Sequence, residues 1–109
     1  MRREIRLPKH RPPTPPGKLL ADEFLGPLDL TVTAFAKHIH IGRDRLSEII
    51  HGRRRVTPDT AMRLSLALGT SVQFWLNAQM ATDLYEARRV AKPATLNKIK
   101  PIKTRSSAA

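Results

Sequence analysis

Between Thr31 and Arg55 the sequence TVTAFAKHIHIGRDRLSEIIHGRRR sets Arg43, Asp44, Arg45, Ser47 and His51 among apolar residues spaced three and four apart, then closes on Arg53, Arg54 and Arg55. A guanidinium donates through a planar fork that fits the O6 and N7 acceptors of guanine or two oxygens of a phosphate. A carboxylate accepts from the cytosine amino group or orients an arginine, and a serine hydroxyl serves several bases. Such groups recognise a polyanion by hydrogen bonding; they do not break bonds. The sequence has no paired carboxylates, no nucleophile beside a base and no phosphate-cradling glycine loop, so neither an enzyme nor a cofactor is expected. His38 and His40 stand two apart and do not face one another on a helix, and no acidic or thiol ligand completes a set, which argues against a metal site.

Two short helices must hold these groups. Thr31 is a good N-cap for one, with Phe35, Ala36 and Ile39 inward at one-turn spacing. After His40, Ile41 and Gly42 comes a second, with Leu46, Ile49 and Ile50 inward and Gly52 as its stop. Ala36 is the small residue where the two cross, and Phe35, Ile39, Ile41, Leu46 and Ile49 lock them together. At 3.6 residues per turn the opposite side of the second helix shows Asp44, Ser47, Glu48 and His51, with Arg43 and Arg45 at its leading end. This layout predicts a DNA reader. The leading end enters the major groove, while Thr31, Thr33, Lys37 and Arg53, Arg54 and Arg55 hold phosphates and fix register. Glu48 is expected to pair with a neighbouring arginine.

The flanks supply the rest of the core. Pro8, Pro12, Pro13, Pro15 and Pro16 remove amide donors and favour an extended or disordered arm over residues 1–15. A first helix follows from Pro16 to about Leu25, with Leu19, Leu20, Phe24 and Leu25 inward, and Leu28 and Leu30 are expected to lead into the core. Thr57 and Pro58 open a fourth helix that ends at Gly69. Ser71 opens a fifth, Val72 to Val90, whose apolar face is wider than one small core requires; Phe74, Trp75, Met80, Leu84 and Tyr85 are therefore read as a dimer seam. The expected division is a flexible arm at 1–15, a DNA-binding and dimerisation domain at 16–91 and a disordered basic tail at 92–109.

Charge agrees with a polyanionic partner. The 109 residues carry 20 Lys and Arg against 9 Asp and Glu, a net charge of +11, with much of the excess in the two tails. Each phosphate neutralised by such groups releases a condensed counterion. With no cysteine there is no disulfide or thiolate chemistry, so packing, shared with a second subunit, must supply stability. No apolar run is long enough to span a bilayer and the start lacks a signal peptide's apolar stretch, so a cytoplasmic protein without a membrane partner is expected.

Three pieces in order carry a resemblance: PGKLLADEFLGPLDLT; RDRLSEIIHGRRRVTPDTAMRLSLALGTS; and FWLNAQ at Phe74 to Gln79. Together, over about Pro15 to Gln79, they resemble the Cro/C1-type (XRE) helix-turn-helix family and, within it, the HigA antitoxins of bacterial toxin–antitoxin modules. The resemblance implies an all-α, five-helix, lambda-repressor-like fold and a homodimer on a palindromic operator. It also implies repression of the protein's own operon and neutralisation of a HigB-like toxin, a ribosome-dependent messenger-RNA endonuclease. A stand-alone repressor without a toxin shares every DNA argument. The sequence departs from the family at His40, where glycine is usual in the turn; at Val32, where a glutamine often meets phosphate; and at Gly42, where serine or threonine usually caps. By charge, Asp22, Glu23 and Asp29 form the toxin-facing candidate.

Overall fold

The computed structural model describes residues 11–103; the expected arm before Arg11 and the end of the expected tail after Lys103 lie outside the described residues. Every regular element among those residues is helical. Helix α1 begins as Pro16–Leu19 and continues without a break as a π-helical stretch, Leu20–Leu25. Residues five apart diverge by about 140° around an α-helix. The wider i→i+5 turn brings Leu20 and Leu25 nearer one face, and both are buried. Leu19 and Phe24 pack partly buried against them.

Helices α2 (Val32–Ile39), α3 (Arg43–Ile50), α4 (Pro58–Leu68) and α5 (Val72–Val90) follow the expected order. Local chemistry fixes their starts. The hydroxyls of Thr31, Thr57 and Ser71 accept from the amides of Ala34, Thr60 and Phe74, satisfying donors that a helix start leaves free. Gly69, with φ at 74°, ends α4 in the left-handed region. Phe35, Ala36, Ile39, Leu46, Ile49, Val56, Ala61, Leu64 and Trp75 join Leu20 and Leu25 in one core. Each large side chain there contributes about 1.5–3 kcal/mol by leaving water.

Gly17 sets how closely the layers approach. A Cβ built on it would lie 1.9 Å from the Ile49 carbonyl oxygen, so the backbones of α1 and α3 touch here and only glycine fits.

Two expectations need correction. Leu28 and Leu30 do not enter the core; they are 57% and 38% exposed. Asp29, between them, takes φ of 58°, which redirects the chain so that both leucines stay outside. Finally, the stretch expected to be a structureless tail holds one helical turn, α6 (Pro93–Leu96), opened by a proline that suits a first-turn position.

Candidate nucleic-acid interface

The turn between α2 and α3 is where the sequence departs most from glycine-based turns, and it is left-handed all the same. His40 sits at φ 61°, ψ 47°, and the amide of Ile41 donates back to the Ala36 carbonyl at 3.0 Å. A non-glycine residue there carries strain. Arg63 of α4 offsets it: Nη1 donates to the carbonyls of Ile39 at 2.9 Å and His40 at 3.1 Å, while Nε donates to Asp59 Oδ2 at 3.0 Å. A cation thus closes the C-terminal end of α2, where unsatisfied carbonyls gather negative potential. Sequence reasoning missed Arg63, and its only signal was an i,i+4 pairing with Asp59.

At the leading end of α3 the two arginines separate. Gly42 starts the helix without a side-chain cap. Arg43 is exposed, and its Nε donates to Thr33 Oγ1 on α2 at 2.9 Å, with Asp44 Oδ1 3.6 Å from Nη1. The four donors on Nη1 and Nη2 are left over from that bond, Nη1 lying toward Asp44, and the bond to Thr33 limits how far the side chain swings. Arg45, expected to point outward beside it, lies against α4 instead: Nη2 donates to Thr60 Oγ1 at 3.2 Å and stands 3.9 Å from Asp59 Oδ2, and Nε is buried without a partner. Its stem leaves α3 on the side that faces α4, so the guanidinium fastens the two helices. Asp44 is fully open to solvent. Thr31 spends its acceptor lone pair on the cap, yet its O–H stays free to donate; Thr33 and Lys37 are exposed on the same side.

The trailing end is tied down. His51 Nδ1 lies 2.8 Å from the Ser47 carbonyl, and Ser47 is half-buried. Arg54 Nε donates to Glu48 Oε1 at 2.9 Å, the pairing expected of Glu48. Arg55 pairs with Asp83 on α5. Asp83 is held in turn: Gln79 Nε2 donates to its Oδ1 at 2.9 Å, and Gln79 Oε1 accepts from the buried Val56 amide at 2.8 Å. Buried Gln79 thus fastens the segment after α3 onto α5, which explains physically the glutamine that ends the FWLNAQ motif. Arg53 is exposed and forms no ion pair among the described residues.

The expected dimer seam divides. Trp75 is not on it: the ring is wholly buried and its Nε1 donates to Thr70 Oγ1 at 2.6 Å, with Phe24 and Phe74 packed on it at centroid distances of 5.4 and 5.0 Å. A hydrophobic stripe wider than one core does not by itself say which residue belongs to which side. Phe74 and Met80 do reach the surface, and Leu84 and Tyr85 are half-buried. In the acidic patch, Asp22 is paired with Lys18 at 2.8 Å and holds that ammonium above its ordinary range; Glu23 and Asp29 are exposed. No helix among the described residues is long and apolar enough to cross a membrane.

A family model described as helix-turn-helix matches residues 23–75. The chain is 43% identical over 76 residues to an uncharacterized HTH-type transcriptional regulator, YbaQ, of Escherichia coli, covering 70% of this chain and 67% of that protein. It is 38% identical over 78 residues to antitoxin HigA-1 of Vibrio cholerae, covering 72% and 73%. Among solved structures it is similar to the Pseudomonas aeruginosa antitoxin HigA with the higBA promoter, at 31% identity and a TM-score of 0.78, over 85% of this chain and 100% of that one.

Proposed function

The chain belongs to the Cro/C1-type helix-turn-helix family, with HigA antitoxins among its relatives, and from that premise we propose that it is a homodimeric antitoxin that binds its own operator, represses its operon and neutralises a HigB-like messenger-RNA endonuclease. Residues 16–91 form the DNA-binding and dimerisation domain of this reading, flanked by basic segments at 1–15 and 92–109. One observation carries it. Arg43 stands exposed at the start of α3 with its Nε bound to Thr33 across the turn, so a guanidinium is held outward at the end of the helix that would enter a major groove. Support also comes from the relative solved with promoter DNA.

In this assignment Arg43, Asp44, Ser47 and His51 face base edges, and Thr31, Thr33, Lys37 and Arg53, Arg54 and Arg55 meet phosphates. Arg45 sets the angle of α3 against α4. Phe74, Met80, Leu84 and Tyr85 form the dimer seam, which places half-sites one helical turn, about 34 Å, apart.

Binding to the DNA upstream of the gene tests the reading. Arg43→Ala is expected to lose about 1 to 3 kcal/mol on the operator and to relax base preference, with little change on random duplex. Equal losses on both would remove Arg43 from base reading. Co-expression with the adjacent small open reading frame should rescue growth and yield a co-purifying complex; without either, the stand-alone repressor is the surviving function.

A further inference from the structure

The three arginines after α3 are unequal. Arg54 is engaged by Glu48 and Arg55 by Asp83, while Arg53 meets no carboxylate among the described residues. We propose that Glu48 and Asp83 are built-in substitutes for DNA phosphate, occupying two of the three guanidiniums until a duplex displaces them. This rests on the DNA-binding reading and adds to it a device that sets affinity for any sequence.

The geometry suits exchange. Both pairs are open to solvent, with the arginine side chains 51% and 65% exposed, so a phosphate oxygen can reach either guanidinium. Exposed ion pairs are weak and readily replaced. The Asp83 carboxylate is also held in place: Gln79 donates to its other oxygen and is itself locked by the Val56 amide, so the carboxylate waits at a fixed site on α5. Glu48 stands on α3 itself. When phosphate takes over, the guanidinium exchanges one anion for another and a carboxylate is left unpaired. Arg54 and Arg55 therefore add less to duplex affinity than their charge suggests, and Arg53 adds its full share. Random DNA is held loosely, and the base contacts of α3 must supply the remainder.

The test follows binding of the full chain to a duplex of random sequence by fluorescence anisotropy across a salt series. Asp83→Asn keeps a carbonyl oxygen for Gln79, and Glu48→Gln probes the second pair on a different helix. Each is expected to tighten binding about two- to fivefold at low salt and to steepen the slope of log K against log salt by about one. Combining Asp83→Asn with Arg55→Ala should return binding to that of Arg55→Ala alone, and Glu23→Gln, which frees no arginine, should leave the slope unchanged. An unchanged slope in both charge-neutralised variants, a gain that survives Arg55→Ala, or an equal gain from Glu23→Gln would overturn the proposal. A wild-type chain with no salt-dependent binding would overturn the DNA reading along with it.

Discussion

The two ends of α3 are built on different principles. Its leading end meets the rest of the molecule through side chains that can be exchanged, chiefly the Arg43–Thr33 bond and the contact of Arg45 with Thr60. Its trailing end is fixed through backbone: Gly17 against the Ile49 carbonyl, and the Val56 amide on Gln79 just beyond the helix. A helix that must reach into a groove needs one end free of bulk and the other immobile, since rotation about a fixed base converts small angular errors into large displacements at the tip. The firmest backbone anchors and the most exposed reader, Arg43, therefore lie at opposite ends of a helix of only eight residues.

That separation can be attacked at either end. Gly17→Ala should destabilise most, by about 3 kcal/mol in thermal or urea unfolding, because the added methyl meets backbone that cannot rotate away; a melt unchanged from wild type would mean that α1 and α3 are not in contact. Next, Gln79→Leu leaves the buried Val56 amide without an acceptor and should cost about 2 kcal/mol of stability while leaving base preference intact. Altered preference would show that the Gln79 anchor itself bears on reading. Smallest is Thr33→Val, which removes the tether of Arg43 and a hydroxyl assigned to phosphate: stability should not move, and operator affinity should fall by about 0.5 kcal/mol more than affinity for random DNA.

The same division explains what was legible in the sequence. Helix starts at Thr31, Thr57 and Ser71 were readable because a cap is made within three residues of itself. The lock of Phe35, Ala36, Ile39, Leu46 and Ile49 follows from spacing alone and is buried as expected. Contacts between distant segments were not readable. Arg45 finds Thr60 and Arg63 finds the Ile39 and His40 carbonyls only after α4 has folded back, and a long, flexible guanidinium side chain gives no local hint of its destination. Trp75 failed for a related reason. Periodicity assigns residues to an apolar stripe, whereas its division between core and surface depends on where α1 delivers Phe24. Leu28 and Leu30 were misplaced because they lie in and just after a turn that Asp29 closes in the left-handed region, and an apolar pair two apart gives no sign of which side of such a turn faces inward.

The bonds from Arg63 to the turn carry one more consequence. Because the bend between α2 and α3 is fastened from a helix outside the motif, the motif is not a portable module: Thr31 to Arg55 cut out as a peptide, or grafted onto another scaffold, leaves behind the cation that closes two of its carbonyls. Anyone transplanting this recognition surface has to bring α4 along with it.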